Sequence, residues 1–262
     1  MSAISYSEEA AQTLVAIYST PDVVAQREAT LQRLALKIGD RVIDVGCGPG
    51  FLCESMAAEV TAAGQVLGVD LSPDLVRFAK KRKSRSWIDY RVGDAVELDV
   101  PSGAFDVAVS TQVIEYVPDL DAAIREFYRV LRRGGRGLVV DTDWDTVVWH
   151  ANDPARMARI LAAWEDHCAH PRLPRTLAPR LRARGFVVDG VESYSIVNIA
   201  HDPNTYSHGI ARLIVEFLEK KNFDSSVLAD WLADLADMGQ RGTYFFSINR
   251  YFFAVTKPGG PR

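Results

Sequence analysis

The sequence predicts an α/β fold in which a mostly parallel β-sheet is covered by helices on both faces. From Arg41 onward, short segments rich in β-branched residues alternate with amphipathic helical segments, the pattern of parallel strands joined by right-handed crossovers. The first strand, residues 42–45, runs directly into a glycine-rich turn and a helix. The 262 residues are 48% hydrophobic and 24% charged, which suits one large domain with insertions or with a small cap.

Charge and cysteine content narrow the classes of partner. The formal charge of −4 argues against a polyanion as the main partner, and the basic run at residues 80–85 is interpreted as the solvated end of a helix.

The three cysteines form no recognisable disulfide framework. His167, Cys168 and His170 lack a fourth ligand at a recognised spacing, so no metal site is expected. Without a signal segment or a long apolar run, we expect a cytoplasmic protein with no nucleic-acid or membrane partner.

The glycine-rich turn is the most informative stretch of the chain. Gly46, Gly48 and Gly50 follow the first strand, where glycine permits positive φ and lets a ligand approach the main-chain N–H groups. A tight structural turn without a ligand is the alternative interpretation. A second strand, residues 65–69, ends on Asp70, at about the spacing at which a ribose-binding carboxylate follows such a turn. The combination favours a nucleoside ligand lying against the turn.

The segment Asp44-Val45-Gly46-Cys47-Gly48-Pro49-Gly50 resembles the first motif of the class I S-adenosylmethionine (SAM)-dependent methyltransferases. Its glycine spacing, G-x-G-x-G, departs from the G-x-G-x-x-G of dinucleotide binders. The resemblance covers residues 41–140 and favours SAM over NAD as the cofactor. It implies a Rossmann-like, seven-stranded, mostly parallel sheet whose last strand, within residues 244–255, is antiparallel.

The resemblance also implies a division of the chain. Residues 1–40 contain two helical patterns, the first with capping-box spacing from Ser5, and are expected to close over the cofactor. Residues 41–262 are then the methyltransferase domain. Tyr18 and Arg27 would cover the adenosine or pair with the SAM carboxylate; a packed tyrosine and a surface arginine are the alternatives.

The third strand is predicted at residues 87–92 and the fourth at residues 105–109. Residues that follow these two strands complete the implied cofactor site. Asp94 and Ala95 stand where the family places a carboxylate that accepts a hydrogen bond from the adenine amine; a turn aspartate is the alternative. Thr111 and Gln112 would face the methionine part of SAM, or merely hydrogen-bond the turn. The cofactor-binding residues implied by the resemblance are Tyr18, Arg27, Asp44, Gly46, Gly48, Gly50, Asp70, Leu71, Asp94, Ala95, Thr111 and Gln112.

A polar and aromatic run, residues 141–145, follows the fifth strand at 137–140. Ligands of open α/β sheets bind beyond the carboxyl ends of the strands, so the methyl acceptor is expected here. His150 is the leading candidate for a general base, and Asp143 would orient the acceptor. A histidine that only satisfies a hydrogen bond and an aspartate that caps a turn are the alternatives.

Other side chains are weaker candidates for the acceptor side. Trp144 and Trp149 either stack on a flat acceptor or fill the core. The remaining candidates are Glu115, His201, Tyr206 and His208.

Two amphipathic helical patterns within residues 199–240 depart from a minimal methyltransferase and are interpreted as an inserted helical lid. We therefore expect a SAM-dependent methyltransferase that acts on an oxygen, nitrogen or carbon atom of a small-molecule metabolite, as a monomer or a homodimer. One alternative is a SAM-binding regulatory or interaction protein without turnover. A nicotinamide-dependent reductase is the other, although the chain has no Tyr-x-x-x-Lys pair and the glycine spacing does not fit.

Overall fold

The computed structural model describes residues 8–259, with side chains from Thr13 onward. Ser5, the predicted cap, lies outside these residues. Within them, the strands are β1 (Arg41–Val45), β2 (Gln65–Asp70), β3 (Ile88–Val92), β4 (Phe105–Thr111), β5 (Leu131–Thr142), β6 (Val148–Trp149), β7 (Val187–Asn198) and β8 (Phe246–Thr256). The helices in the same range are α1 (Glu8–Tyr18), α2 (Pro21–Leu34), α3 (Phe51–Val60), α4 (Pro73–Arg82), α5 (Leu120–Val130), α6 (Pro154–Trp164), α7 (Pro174–Arg184), α8 (Tyr206–Lys220) and α9 (Ser225–Gln240).

The strands form one sheet. β1 to β5 are parallel, in the order β3-β2-β1-β4-β5, and β8 runs antiparallel to β5. β7 lies along one edge of β8, and β5 and the two-residue β6 share its other edge. The prediction of a mostly parallel sheet with an antiparallel last strand is confirmed. The additional strand is β6, which is too short to produce a recognisable pattern.

Two hydrophobic layers hold helices on opposite faces of the sheet. On one face α5 and α7 pack through Phe127, Leu177 and Leu181. The other face carries α3 and α4, with Met56 and Ala79 fully buried. Both faces are covered because the parallel strands are apolar on both sides, as the burial of consecutive residues in β1 and β4 shows.

Local signals explain where the helices near the site begin. α4 has Pro73 in its first turn, and its cap Ser72 accepts a hydrogen bond from the Leu75 N–H at 3.3 Å. α5 ends at Val130 because Leu131 pairs with Phe105 as the first residue of β5. The fifth strand consequently begins well before the predicted residue 137.

A third hydrophobic layer joins α1, α6, α8 and α9 to β6, β7 and β8. Ile160, Ile214 and Trp231, one from each of α6, α8 and α9, are at most 2% exposed. The two helical patterns predicted within residues 199–240 are α8 and α9, between β7 and β8, while α6 was not identified from the sequence. In residues 8–259, no helix combines the length and apolarity needed to cross a bilayer.

Candidate cofactor and acceptor site

The glycine-rich turn needs its glycines for packing as well as for backbone conformation. Gly46 and Gly50 both have φ of +80°, and Gly48 has φ of +52°. A Cβ at Gly46 would lie 2.1 Å from Cγ2 of Val113, and one at Gly50 would lie 2.5 Å from the Tyr90 hydroxyl oxygen. At Gly48 a Cβ would be 3.8 Å from the Tyr18 ring, which is an ordinary contact. Gly48 is therefore the position of the turn at which the backbone is open to a ligand.

Asp70 joins the turn to the end of β2. Its Oδ2 accepts a hydrogen bond from the Gly48 N–H at 2.8 Å, and its Oδ1 accepts one from the Ser72 N–H at 2.9 Å. Burial raises the pKa of this carboxyl, and the two N–H donors partly oppose that rise. Asp70 is thus held at the edge of the turn, where the predicted ribose contact requires it.

An apolar surface lies beside Asp70. Leu71 follows β2 and Val92 ends the neighbouring strand β3, and the two side chains are 50% and 53% exposed. Asp94 is exposed, and its Oδ1 accepts a hydrogen bond from the Val96 N–H at 3.1 Å. Ala95 packs against the sheet. The arrangement offers an apolar wall and a carboxylate edge to a flat base such as adenine.

Asp44 lies beneath the turn. It is 2% exposed, and its Oδ2 accepts a hydrogen bond from the Cys53 Sγ at 3.3 Å. Burial raises the pKa of Asp44 to about 7, against the effect of the cysteine hydrogen bond. The geometry makes Asp44 a support for the turn.

Tyr18 lies over the turn. Burial raises the pKa of its hydroxyl to about 12, and the nearby charges include Arg250, Asp70 and Glu115. The hydroxyl thus lies between the ribose end of the site and the ends of β4 and β5. The predicted partner Arg27 donates from Nη1 to the Tyr18 carbonyl oxygen at 3.0 Å, so it holds the end of α1 in place.

Gln112 makes the local hydrogen bonds that were the alternative to cofactor contact. Its φ is +58°, and its backbone N–H donates to the Val140 carbonyl oxygen at 2.7 Å. Its Oε1 accepts a hydrogen bond from the Thr142 hydroxyl at 2.5 Å. The hydroxyl of Thr111, in contrast, is buried without a hydrogen-bond partner among the described residues. Thr111 is therefore the freer of the two to meet a ligand.

Three charged residues, Glu115, Asp141 and Arg250, form what we call the strand-end cluster. Glu115 and Asp141 are 0% exposed and Arg250 is 4% exposed. In the part of the chain that the structure describes, Oε1 of Glu115, Oδ2 of Asp141 and Nε of Arg250 are buried without a hydrogen-bond partner. Buried polar atoms normally have partners, so the cluster is the strongest indication of a ligand site.

Tyr206 and Gln26 connect the strand-end cluster to the helices. The guanidinium of Arg250 lies 4.8 Å from the centre of the Tyr206 ring, and its Nη1 donates to the Gln26 Oε1. The sequence analysis included Tyr206 and Glu115 as weaker candidates, but it missed Arg250 and Gln26. An arginine within the otherwise aromatic and aliphatic run 250–255 was the available signal for Arg250.

Similarity to a known family covers the part of the chain that contains the cofactor turn. The methyltransferase domain family matches residues 43–139. An uncharacterised 37.1 kDa protein in transposon TN4556 of Streptomyces fradiae is 31% identical over 236 residues, which cover 88% of this chain and 64% of that protein. The 2-phytyl-1,4-naphtoquinone methyltransferase of Synechococcus elongatus is 39% identical over 111 residues, covering 41% of this chain and 48% of the relative. The chain thus spans less than two thirds of the length of either relative.

A solved structure shows the same fold. Phosphoethanolamine N-methyltransferase 2 of Haemonchus contortus, in complex with SAM, has a TM-score of 0.64 at 23% identity, covering 97% of this chain and 58% of that chain. Residues 43–139 belong to the methyltransferase domain family, and the relatives and the solved structure support the class I SAM-dependent methyltransferase superfamily for the chain. The sequence-based identification of the superfamily, of SAM as the cofactor and of the Rossmann-like fold is confirmed.

The residues of this methyltransferase fit SAM. The sulfonium and the amino group of SAM are cations, and the buried carboxyl oxygens of Glu115 and Asp141 without partners suit positive charge. Asp70, at the edge of the turn beside Gly48, suits a ribose. When bound, SAM supplies an electrophilic methyl group. The chain has to hold, orient and enclose it.

Asp143, predicted as an acceptor-orienting residue or a cap, makes its contacts within the fold. It is 4% exposed, and Arg175 donates to both of its oxygens, at 2.6 Å and 3.0 Å. Its Oδ1 also accepts from the Asp145 N–H at 3.2 Å, which caps the short helical turn that follows. These contacts fit the alternative interpretation, in which Asp143 caps a turn.

His150 is also placed away from the strand-end cluster. It is exposed after β6, and its backbone N–H donates to the Phe245 carbonyl oxygen at 3.0 Å. Trp149 directs this segment into the helical layer, where its ring lies 5.3 Å from that of Trp231 and 4.7 Å from that of Phe246. The prediction of His150 as the general base is therefore not supported, because an exposed imidazole is separated from the buried end of the sheet.

Trp144, His201 and His208, which were also candidates for the acceptor side, make ring contacts with neighbouring side chains. Trp144 lies 4.4 Å from the ring of His167, edge to face, and His167 stacks on Trp164 at 3.9 Å. His201 and His208 form a pair 5.1 Å apart. Among residues 8–259, no three His, Cys, Asp or Glu side chains are grouped as metal ligands would be.

Proposed function

We propose that this methyltransferase transfers the methyl group of SAM to an oxygen, nitrogen or carbon atom of a small molecule. The observation that carries the proposal is the burial of the strand-end cluster, in which Glu115 and Asp141 are 0% exposed and Arg250 is 4% exposed. A small molecule fits wholly within an enclosed site, whereas a polymer has to insert a single unit. The formal charge of −4 gives no support for nucleic acid as the acceptor.

The helical layer supports the same conclusion. Tyr18 on α1 and Tyr206 on α8 border the strand-end cluster from above the sheet, and burial raises the pKa of both hydroxyls. Tyr206 is 4% exposed and Tyr18 is half-buried, so water has limited access to this end of the site. Exclusion of water protects a sulfonium from hydrolysis and strengthens the electrostatic contacts of the site.

The chain contributes mainly by positioning. Methyl transfer is an in-line displacement, so its barrier falls when donor and acceptor are aligned and desolvated. Asp70 and the turn at Gly48 would hold the nucleoside, and Thr111 with the strand-end cluster would border the reacting end. A base is needed only for an acceptor that loses a proton. Glu115 replaces His150 as the candidate because it is buried and has an oxygen without a hydrogen-bond partner among the described residues.

The names of relatives do not define the acceptor. The 2-phytyl-1,4-naphtoquinone methyltransferase matches 41% of this chain, and the family match is confined to residues 43–139. Tyr18, Tyr206 and Arg250 lie outside that range. The search for the methyl acceptor therefore has to be broad, with hydroxylated aromatic compounds as one class of compound among several.

Methyl-labelled SAM tests the proposal directly. The protein is incubated with four pools: hydroxylated aromatics and other small metabolites, amines, RNA, and a protein extract. We expect the label to enter a small molecule. Asp70→Ala should strongly reduce labelling at limiting SAM, and the matched variant Glu219→Gln, at an exposed carboxylate on α8, should retain it.

The other outcomes identify the alternatives. Label found in RNA or protein alone would overturn the small-molecule acceptor. Binding of SAM by calorimetry without label in any pool would support a SAM-binding protein without turnover. Tight NADH binding, with no effect of SAM on the melting temperature, would support the reductase.

A further inference from the structure

Glu115 and Asp141 come together at the carboxyl ends of β4 and β5, and we call them the carboxyl pair. Each has one oxygen that accepts a backbone hydrogen bond: the Thr142 N–H donates to Glu115 at 3.1 Å, and the Val113 N–H donates to Asp141 at 3.2 Å. The second oxygen of each is buried without a partner in the described part of the chain. These backbone hydrogen bonds fix the carboxyl pair at the ends of β4 and β5. Val113, whose N–H binds Asp141, packs its side chain against Gly46, so the pair lies near the cofactor turn.

Several elements place titratable or charged groups around the carboxyl pair. Arg250 comes from β8, Tyr18 from α1, Tyr206 from α8 and Cys168 from the segment before α7, while the indole of Trp144 lies near Glu115. Burial raises the pKa of Tyr18 to about 12 and also raises those of Tyr206 and Cys168. These three groups therefore stay protonated near neutral pH. Arg250 is the cation that faces the pair in this described environment.

One guanidinium beside two buried carboxyls favours a shared proton. Burial raises the pKa of Glu115 to about 8, and burial together with the charge of Glu115 raises the pKa of Asp141 well above its ordinary value. Two adjacent carboxylates with a single nearby cation do not both ionise readily in a site of low polarity. An additional positive charge in the site would remove this restriction.

We propose that the carboxyl pair holds one proton while no sulfonium is present, releases it when SAM binds, and takes one back at methyl transfer. The proposal rests on SAM binding as described under the proposed function. SAM carries one more positive charge than its product S-adenosylhomocysteine (SAH), at the sulfonium. In the transfer, the bond from sulfur to methyl breaks with its electron pair left on sulfur, and the bond from acceptor to methyl forms. The proton that an O–H or N–H acceptor loses then passes to the carboxyl pair.

Comparison of SAM with SAH isolates the sulfonium. Both compounds carry the same ribose, adenine and amino-acid groups. Any titration of Asp44 or Asp70, whose carboxyl pKa values are also raised by burial, therefore contributes to both binding reactions. The difference in proton release between the two ligands reports the group that responds to the sulfonium charge.

Isothermal titration calorimetry provides the measurement. SAM and SAH are titrated at several values between pH 6 and 9, each in two buffers of different ionisation enthalpy. Near pH 7 we expect SAM binding to release up to about one proton more than SAH binding, and the ratio of SAM to SAH affinity to rise by up to about tenfold per pH unit. Equal proton release with a pH-independent affinity ratio would overturn the proposal.

Variants assign the proton to the pair. Glu115→Gln should remove the excess proton release and make the ratio of SAM to SAH affinity independent of pH. Asp141→Asn keeps an oxygen for the Val113 N–H and provides a second variant if Glu115→Gln does not fold. Glu219→Gln is the matched control and should behave like the parent. Unchanged proton release in the Glu115→Gln and Asp141→Asn proteins would contradict the assignment.

The outcomes separate this inference from the proposed function. If neither SAM nor SAH binds, the proposed function fails. If both bind with equal proton release, the proposed function stands and only the shared proton is rejected. The unmodified protein decides this point even if neither variant folds.

Discussion

Gly46→Ala tests the packing that shapes the cofactor turn. The added Cβ would lie 2.1 Å from Cγ2 of Val113, and the backbone would keep a φ of +80° that an alanine rarely adopts. The backbone strain costs about 1–2 kcal/mol, and forced overpacking costs about 1–3 kcal/mol more. We therefore expect a loss of about 2–5 kcal/mol in the free energy of unfolding, measured by urea denaturation at 25 °C.

Two further variants separate strain from collision. Gly242→Ala has a similar φ of +69°, but no described heavy atom lies within 4 Å of its added Cβ, so it should show the strain alone. Val113→Ala in the Gly46→Ala background should recover part of the loss, with a coupling energy of about 1–2 kcal/mol. The reasoning is refuted if Gly46→Ala costs no more than Gly242→Ala, or if Val113→Ala gives no recovery.

Three other predictions concern charge and the site. Asp70→Ala should weaken SAH binding about 10- to 100-fold by calorimetry, because charged hydrogen bonds contribute about 1.5–3 kcal/mol, and equal affinity would remove Asp70 from the site. Burial raises the pKa of Asp44 from 3.8 to about 7 in the folded state. Between these two pH values, the folded protein therefore binds more protons at Asp44 than the unfolded protein does. The free energy of unfolding should consequently fall as the pH rises through this window, by at most about 1.4 kcal/mol per pH unit, and the fall should be smaller in Asp44→Asn. Urea denaturation midpoints that depend on pH in the same way in both proteins would contradict this. His150→Ala should leave the labelling rate within about twofold, because surface substitutions shift free energies by about 0.5 kcal/mol or less, whereas a loss above tenfold would restore His150 as a base.

The parts of the fold that the sequence predicts are those with local signals. The β-branched run of β1, the glycines of the turn and the carboxylate at the end of β2 lie within 30 residues of one another, and each has a physical reason to be there. Asp143 shows the limit of such reasoning. Its partner Arg175 lies 32 residues further along the chain, and only the folded structure shows that the arginine engages both carboxyl oxygens. The same pattern in the sequence fitted a cap and an acceptor contact equally well.

The acceptor side is less predictable because its residues come from the whole chain. Gln26 on α2, itself 2% exposed, holds the guanidinium of Arg250 on β8, 224 residues away. Tyr206 on α8 covers the same guanidinium from the inserted helices. The family match at residues 43–139 includes none of these three residues. Substitutions at these positions can therefore change the shape and charge of the proposed acceptor pocket while the cofactor turn stays the same. For this reason, similarity over residues 43–139 indicates the methyl donor, and the acceptor has to be found by experiment.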